Sequence, residues 1–442
     1  MSSASWDIRH VDLSDRQPAV AANPRPLFVV FWWGVLPLGV RIYLPEQLPL
    51  RRSELGALTA ELASAQLAAR SPRFCGPARA TYDGKPLLLV PADTLQEGGD
   101  LLKQLDDFAE TSPISAAPLS VVICTRDRPE ALEHCLTALM MQTSRADQIV
   151  VVDNSTHRSA EAVSARFPDI DYLHEPRPGL SVARNAGVRA SKGALIAFTD
   201  DDVEPSPTWT MEVVRAFSSA GVDAMTGLVL PARLDTPAQC YFQFKMGGFG
   251  SECVPLIFDR RFLDETKATG AQVWRIGAGA NMAFRRSVFQ RVGLFDERLG
   301  AGASGCSEDS ELWYRLIADG GACLFEPRAF VVHHHREQWP ELRRQVRAYM
   351  KGHVSALFVQ AARHRHGGNI RRIFRQLPGY FARSAFLALR DGGGARRFQI
   401  LWDEIVGWLC GLQYAFRPRW RARPVEMPAS PNLAQSARQS SL

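Results

Sequence analysis

Three consecutive carboxylates, Asp200, Asp201 and Asp202, follow an apolar run in the segment FTDDDV. Like charges a few ångströms apart raise one another's pKa, and a divalent cation placed among them removes that cost. Carboxylate oxygens suit Mg²⁺ or Mn²⁺, which bind through one or two carboxylates together with substrate phosphates. The alternative is a solvated acidic turn, because Asp is a common turn residue. The segment therefore predicts either a metal site or an exposed turn.

Two other apolar runs also end in polar residues. LSVVIC is followed by Thr125, Arg126, Asp127 and Arg128, and QIVVV is followed by Asp153, Asn154 and Ser155. In an open parallel sheet, ligands bind beyond the carboxyl ends of the strands. We therefore expect the polar residues at these strand ends to converge with the three aspartates on one polar mouth.

Two later groups could add chemistry to that mouth. Glu308 and Asp309 begin a helical pattern, where the macrodipole alone favours acids, although either carboxylate could also act as a general base. His333, His334 and His335 follow the strand-like FVV. They are either a surface turn or a source of neutral imidazole to complete a metal shell.

The elements that must position these residues alternate along the chain from Leu119 onward. Short β-branched runs (LSVVIC, QIVVV, IDYLH, ALIAFT) alternate with helical patterns (PEALEHCLTALMMQ, a segment near 157–167, LSVARNAGVRAS). Such alternation predicts an α/β fold with a mostly parallel sheet and helices on both faces.

The length of 442 residues predicts several units. In the first unit, PLFVVFWW and VLPLGVRIYL flank Gly34 as a β-hairpin, and SELGALTAELASAQLAAR is an alanine-rich helix. The expected divisions are an N-terminal α+β unit at 1–112, a linker at 113–118, a catalytic domain at 119–336, a C-terminal basic helical region at 337–423 and a disordered tail at 424–442.

Eight segments in one order and spacing resemble the family 2 glycosyltransferases, whose fold is called GT-A. They are LSVVICTRDRP, IVVVDNS, RPGLSVARNAG, AFTDDDV, GAGANMAFRR, VGLFDERLGAG, SEDSELWYRL and EPRAFVVHHHR, and together they cover about residues 118–336. The resemblance implies an inverting transferase that uses a nucleotide diphosphate sugar. It leaves residues 1–112 without an explanation.

The resemblance also implies which residues contact the donor. Nucleoside contacts fall to Thr125, Arg126, Asp127 and Asp153, and Asp153 matches the residue that reads the uracil ring. Arg184 and Asn185, at the start of a helix, face the donor unless they are an ordinary surface helix terminus. Asn281 either contacts the donor sugar or belongs to a glycine-rich loop packed under a helix. Asp201 is counted with this donor-binding group.

The metal and the base are implied in the same way. Asp200 and Asp202 match the ends of the DXD motif, where the first residue meets the ribose and the last holds Mn²⁺ or Mg²⁺. A histidine of the HxH pattern adds a ligand, with His333 preferred and His335 its rival. Glu308 and Asp309 match the ED motif, which makes Asp309 the base for direct attack and inversion.

The formal net charge of +6 is unevenly distributed. From Arg336 to the end there are 19 Lys and Arg against 6 Asp and Glu, or +13, which leaves about −7 for the preceding residues. The helical patterns within this basic third suit either the anionic inner face of a membrane or a helical subdomain that covers the catalytic core. No nucleic-acid-binding motif accompanies the charge.

The N-terminal segment, the longest early apolar stretch and the cysteines indicate where in the cell the protein is expected. No basic segment followed by an apolar run begins the chain, and the apolar stretch Leu27–Val40 falls short of the roughly 20 residues of a spanning helix. Eight scattered cysteines without a CxxC pair suggest buried thiols in a reducing cytosol. We expect a cytoplasmic protein with peripheral membrane contact as one option.

The leading expectation is therefore transfer of a sugar from a nucleotide donor, UDP-linked by preference, to a hydroxyl of a glycan or lipid-linked acceptor. A non-catalytic nucleotide-sugar-binding scaffold in a polysaccharide-assembly complex is the alternative. A nucleotidyltransferase would need a glycine-rich basic loop after the first strand, and ICTRDRP lacks one.

Overall fold

The computed structural model describes residues 5–70, 78–79, 101–109, 117–218, 221–250, 252–390 and 394–417. Most of the predicted linker (113–116), the tail at 424–442 and Cys75 lie outside these residues. The predicted N-terminal hairpin and alanine-rich helix are confirmed. The elements of this part are β1 (Asp7–Asp12), β2 (Leu27–Trp33), β3 (Leu36–Tyr43), α1 (Arg52–Arg70), β4 (Ala78–Arg79) and α2 (Leu101–Ala109).

The strands and helices predicted from Leu119 onward are present, although the helix expected near 157–167 shortens to four residues. The strands are β5 (Leu119–Thr125), β6 (Gln148–Asp153), β7 (Ile170–His174), β8 (Leu195–Asp200), β9 (Val203–Pro205), β10 (Ala224–Pro231), β11 (Leu256–Phe258), β12 (Asn281–Arg285) and β13 (Cys323–His333). The helices are α3 (Pro129–Met140), α4 (Glu161–Ser164), α5 (Leu180–Ala190), α6 (Trp209–Ala216), α7 (Pro237–Lys245), α8 (Arg260–Glu265), α9 (Arg286–Val292) and α10 (Glu308–Ala318), with a 3₁₀ turn at Val273–Arg275.

The central sheet runs in the order β4-β11-β13-β10-β12-β8-β5-β6-β7, with β9 paired to β13. Strands β8, β5, β6 and β7 are parallel, as predicted. Strand β12 lies antiparallel between β8 and β10, which the alternating pattern did not predict. The fold class is confirmed: a mostly parallel sheet flanked by helices, in the arrangement expected for GT-A.

Successive apolar side chains of each strand pack on opposite faces of this sheet. Val122 of β5 packs into the cluster that contains Ala183 and Ala186 of α5. Val121 of the same strand packs into the opposite cluster, which contains Leu132 of α3. Successive side chains of a strand point to opposite faces, so a continuous apolar run buries a strand between two helical layers.

The N-terminal unit is packed onto the catalytic domain through β2, every residue of which is buried. Phe28, Val30 and Trp32 join the core cluster of the catalytic domain, whereas Phe31 and Trp33 face the cluster that contains α1. The backbone N–H of Trp6 also donates to the carbonyl of Leu234 at 2.9 Å. The boundary near residue 112 therefore separates two parts that share a hydrophobic core.

Four helices follow the catalytic domain: α11 (Trp339–His364), α12 (Gly367–Arg371), α13 (Leu377–Arg390) and α14 (Ala395–Ala415), with a π-helical turn at Arg372–Gln376. Leu342 and Val346 of α11 are buried against the catalytic domain. Within the described ranges, no helix is both long and apolar enough to span a bilayer.

The described cysteines form no disulfide. Cys135, Cys240, Cys253 and Cys323 are buried as the sequence predicted, whereas Cys410 on α14 is exposed. The prediction of uniformly buried thiols is wrong at Cys410, because α14 turns that side away from the core.

Candidate active site

A cavity of about 1730 Å³ lies beyond the carboxyl ends of β5 and β8. Its wall contains Thr125, Arg126, Arg184, Asp200, Asp201, Asp202, Glu308, Asp309 and His333. These residues come from strand ends, from the loops that follow them and from two helices, α5 and α10. The expected convergence on one mouth is therefore observed for most of the polar residues singled out from the sequence.

Each of the three aspartates has different partners. Asp200 accepts a hydrogen bond from Arg184 Nη2 at 3.2 Å. Asp201 accepts from Thr125 Oγ1 at 2.8 Å. Arg128 Nη1 lies 3.3 Å from Asp201 Oδ1 and 3.1 Å from Asp202 Oδ2, so one guanidinium bridges two carboxylates. The segment is thus a buried charge cluster, and the solvated-turn alternative does not describe it.

The environment shifts the pKa values of these carboxyls in different directions. Burial raises the pKa of Asp201 to about 6, although Arg128 opposes the shift. Burial also acts to raise the pKa of Asp202, but His333, Arg336 and Arg128 outweigh it and the pKa is lowered. Burial lowers the pKa of His333, and Asp202 opposes that shift. Of the three carboxyls, Asp202 is therefore the one whose surroundings favour the ionised form.

Strand pairing brings His333 to Asp202. β9 begins directly after the aspartates and pairs antiparallel with β13, which sets His333 opposite Val203. His333 Nε2 lies 3.6 Å from Asp202 Oδ1, too far for a hydrogen bond. The imidazole and the carboxylate thus face each other without a hydrogen bond between them.

A chain of hydrogen bonds fixes the tautomer of His333. Gln243 Oε1 can only accept, so His335 Nε2, at 3.2 Å, donates to it. Burial lowers the pKa of His335 to about 3, so its ring is neutral and its Nδ1 is an acceptor. His333 Nδ1, at 2.9 Å, must then carry the proton. The Nε2 of His333 is left with a lone pair aimed toward Asp202.

His334 and His335 do not join the cavity wall. His334 Nε2 lies 2.8 Å from Glu204 Oε1 on the surface, and His335 lies behind His333 against the Phe242 ring. Of the two histidines considered as ligands from the sequence, the structure presents His333 to the cavity and places His335 as its support.

Helix α10 begins with the two acids predicted as catalytic. Ser307, just before it, has a left-handed backbone (φ 71°), which turns the chain sharply into the helix. Asp309 Oδ2 accepts from the backbone N–H of Gly279 at 2.9 Å, and its Oδ1 accepts from Ser310 N. Both acids line the cavity, and the assignment of Asp309 as the base stays a prediction.

Arg184 joins the aspartates to these acids. Its guanidinium is fully buried on α5 and donates to Glu308 Oε1 at 2.6 Å as well as to Asp200. Burial raises the pKa of Glu308 to about 7, while Arg184 opposes the shift. Glu308 Oε2 is buried without a hydrogen-bond partner in the described part of the chain. One cation therefore neutralises carboxylates at both ends of the site.

Several residues predicted to contact the donor point elsewhere. Asp153 accepts from the N–H groups of Ser155 and Ala160 and from Tyr172 OH, and Asp127 is exposed beside Arg126. Neither Asp153 nor Asp127 is among the residues that line the cavity. Their assignment to the nucleoside stays a prediction.

Asn185 and Asn281 are fully buried and serve the fold. Asn185 exchanges two hydrogen bonds with the backbone of Phe295. Asn281 accepts from Trp209 Nε1 and donates to the carbonyls of Leu228 and Ala329. Their side-chain amides are hydrogen-bonded to these internal partners, and neither residue is part of the cavity wall.

Two arginines were not singled out from the sequence as site residues. Arg128 follows β5 and Arg336 follows the histidines, and both lie on the cavity wall near Asp202. The signal for each was present, because Arg128 belongs to the polar run after β5 and Arg336 follows HHH. Arginines near turns are so common that only the contact with Asp202 identifies these two as site residues.

Part of the chain matches a known protein family. Residues 120–293 match the family model described as glycosyl transferase family 2. These residues form a family 2 glycosyltransferase domain. The matched residues include α5, the three aspartates and all of β5 except its first residue. They end at residue 293, before Glu308 and Asp309.

Relatives of the glycosyltransferase domain are themselves sugar-transfer or polysaccharide proteins. The chain is 26% identical to the chondroitin synthase of Escherichia coli over 261 residues, which are 53% of this chain and 37% of that protein. It is 25% identical to the succinoglycan biosynthesis protein ExoM of Rhizobium meliloti (strain 1021), over 68% of this chain and 96% of that one. The chain is a glycosyltransferase that spans about a third of the first relative and nearly all of the second.

A solved mannosyltransferase, PcManGT from Pyrobaculum calidifontis in complex with GDP-Man and Mn²⁺, also matches. The match has a TM-score of 0.41 and 17% identity, and it covers 77% of this chain and 87% of that one. A likeness this loose carries no information about the site.

The carboxylates of Asp200 and Asp202 and the Nε2 of His333 are the residues that could hold a divalent cation. Their oxygen and imidazole donors fit Mn²⁺ or Mg²⁺, and the lone pair of His333 already faces Asp202. No group of three or more His, Cys, Asp and Glu forms a ready-made cage among the described residues. A cation here would need ligands from a substrate as well.

Proposed function

We propose that this glycosyltransferase moves a sugar, with inversion, from a nucleotide diphosphate donor to a hydroxyl of a glycan or lipid-linked acceptor. The donor is UDP-linked by preference. The observation that carries the proposal is the position of Arg184, which contacts Asp200 at 3.2 Å and Glu308 at 2.6 Å. It joins the carboxylates expected at the diphosphate to the helix that carries the base.

Asp202, Asp200 and His333 are the residues proposed to hold Mn²⁺ or Mg²⁺. The ion, when bound, offsets the negative charge that grows on the departing diphosphate. The absence of a complete protein cage is compatible with this role, since such ions are commonly bound by one or two carboxylates plus phosphate oxygens. Arg128 and Arg336 lie beside Asp202 and add positive charge where phosphates would enter.

Asp309 is the proposed base. The Gly279 amide holds its Oδ2 at 2.9 Å, which fixes the carboxylate on the cavity wall and leaves an acceptor lone pair for the proton of an attacking hydroxyl. Attack from the face opposite the diphosphate inverts the anomeric centre. Glu308 holds Arg184 in place through its Oε1.

The membership of this chain in a polysaccharide pathway is part of the same proposal. ExoM is a succinoglycan biosynthesis protein by name, and the chain spans almost its full length. The expected acceptor is therefore a growing glycan or its lipid-linked form.

The test of the proposal is binding and turnover of nucleotide sugars. A panel of UDP- and GDP-linked sugars is screened by thermal shift with and without Mn²⁺, because a ligand that binds only the folded state raises its melting temperature. We expect one donor to stabilise the wild type only with the metal, and Asp202→Asn to lose that shift. Glu204→Gln, two residues further on and exposed, should keep it. No binding and no turnover of any donor would sink the proposal.

Asp309→Asn separates an enzyme from a scaffold that only binds the donor. Asn keeps an oxygen for the Gly279 amide but cannot take up a proton, so we expect donor binding to persist while turnover falls by roughly 10²–10⁴-fold. Hydrolysis of the donor is the measurement. Wild-type donor binding without any turnover, unchanged in Asp309→Asn, would favour the scaffold.

A further inference from the structure

Exposed apolar side chains are concentrated on the last two helices. Fourteen large apolar side chains are exposed among the described residues, and nine of them lie between residues 370 and 416. We name six of these the outer helical face: Phe386 and Leu389 of α13, Phe398, Trp402 and Leu409 of α14, and Phe416, which directly follows α14. Large exposed apolar patches on a folded protein mark an interaction surface.

Three residues of α14 and the residue that follows it form one stripe. Phe398, Trp402, Leu409 and Phe416 are spaced by four, seven and seven residues, which places them on one side of a helix. The opposite side is pressed against α11, where a Cβ at Gly407 would lie 2.6 Å from the Arg347 carbonyl and one at Gly411 2.7 Å from Val354. α14 therefore has two apolar sides, and only one of them is buried.

Helix α13 has the same construction. Leu377 and Phe381 are buried in a cluster with Leu401 of α14 and Leu357 of α11. Phe386 and Leu389 are 64% and 72% exposed. Since both helices bury one side in the same cluster, their other sides turn outward together.

The charge around this face is strongly positive. Residues 370–417 contain eight arginines and three acids, a net charge of +5. Asp403 is buried in ion pairs with Arg343 and Arg347, and Glu404 accepts hydrogen bonds from Tyr380 OH. Two of the acids are thus held by internal partners. Arg383 of α13 is exposed on the same helix as Phe386 and Leu389.

We propose that the outer helical face docks on an anionic lipid bilayer, with α13 and α14 lying in the plane of the interface. Aromatic and aliphatic side chains at this depth enter the boundary between headgroups and acyl chains, and flanking arginines pair with anionic headgroups. A second copy of the chain is a poorer occupant, because each copy carries a net charge of +5 over residues 370–417. Helix α11 contributes none of the six residues of this surface, although it carries Arg343, Arg344, Arg347 and Lys351.

The two helices that carry the docking surface also contribute residues to the cavity wall. Leu377, Tyr380 and Arg383 of α13 and Glu404 of α14 line the cavity that contains Asp309, and Tyr380 is 47% exposed. This step rests on the proposed function: an acceptor reaching Asp309 along this wall would come from the bilayer. Of the two acceptor classes, the geometry favours the lipid-linked one.

Vesicle flotation of the full chain tests the docking surface without any substrate. Vesicles of roughly 7:3 phosphatidylcholine to phosphatidylglycerol are compared with phosphatidylcholine alone. We expect the wild type to float with the anionic vesicles and to lose affinity in about 0.5 M NaCl, because salt screens the arginines. The double variant Phe386→Gln/Trp402→Gln should bind at least roughly tenfold more weakly. Met141→Gln, which removes a side chain that is 73% exposed at the end of α3, should bind like the wild type.

Three results would overturn the docking proposal. They are no flotation with anionic vesicles, undiminished flotation of the double variant, and a wild-type dimer in light scattering that the double variant dissociates. Equal melting temperatures of all three proteins exclude misfolding, since the altered side chains are exposed. Donor hydrolysis is measured separately. A chain that floats but hydrolyses no nucleotide sugar would refute the proposed function and its lipid-linked acceptor while supporting docking.

Discussion

At the scale of single residues, the site is organised by partners that fix charge and proton position. The hydrogen-bond chain from Gln243 through His335 sets the proton on His333 Nδ1 and leaves its Nε2 lone pair facing Asp202. Groups behind a metal ligand commonly orient it and raise its basicity. The structure therefore gives His333 and His335 different surroundings, which their positions in HHH do not reveal.

Gln243→Met should weaken the binding of Mn²⁺, although Gln243 is not itself a proposed ligand. Met fills a similar volume but offers no acceptor for His335, so the tautomer of His333 is no longer fixed. We expect the affinity for Mn²⁺ in the presence of a nucleoside diphosphate to fall by roughly tenfold, measured by calorimetric titration. His334→Ala is the matched control, because that imidazole is exposed and bound to Glu204. Equal Mn²⁺ affinity in Gln243→Met and the wild type would refute the positioning role.

At the scale of elements, the insertion of β12 between β8 and β10 depends on one buried amide. The pairing of β10 with β13 shifts register between Gly227 and Val229, and Asn281 at the start of β12 bonds the carbonyls of Leu228 and Ala329 there. The same side chain accepts from Trp209 of α6. Asn281 thus ties three strands and a helix together beneath the active-site cavity.

Asn281→Ala distinguishes this structural role from the sugar contact expected from the sequence. The substitution leaves an indole N–H and two carbonyls buried without that partner, so we expect a loss of about 2–4 kcal/mol in the free energy of unfolding. Urea denaturation measures it, and Gln413→Ala, an exposed amide on α14, should change little. Calorimetric donor affinity should stay within about twofold of the wild type. Unchanged stability with lost donor binding would restore the sugar contact.

At the scale of the whole molecule, three parts of the chain share buried surface. The N-terminal β2 contributes to the core of the catalytic domain, and α13 and α14 extend the cavity wall. Glu404 lies at this last junction. Burial raises its pKa to about 7, although the hydrogen bond from Tyr380 acts to lower it. The fold therefore prefers this carboxyl protonated.

The stability of the molecule should respond to pH through Glu404. A carboxyl whose pKa is raised in the folded state contributes stability below its unfolded pKa of 4.5, and that contribution is lost as the pH rises to about 7. Glu404→Gln stays neutral, so we expect it to gain on the order of 1 kcal/mol over the wild type between pH 5 and pH 8. Urea denaturation at both pH values measures the gain. Glu341→Gln on α11 is the control, and a constant difference between variant and wild type would contradict the assignment.

The sequence by itself determined the class of fold and the family, because both depend on local patterns. Alternating apolar residues set the strands, the helical repeat set α3, α5 and α10, and polar residues at the ends of β5 and β8 indicated the mouth. The eight motifs of the resemblance lie within these elements. Each of these signals is read from residues a few positions apart.

Only the tertiary structure decided which polar residues face the cavity. Arg128 and Asp202 are 74 positions apart in the sequence and form an ion pair, while Asn185 and Asn281 turn inward to backbone groups that no local pattern identifies. A buried polar side chain must find a partner wherever the packed chain offers one. That choice is made by contacts between distant segments, so the arginine partners, the histidine chain and the outer helical face became visible only when the helices and strands were assembled.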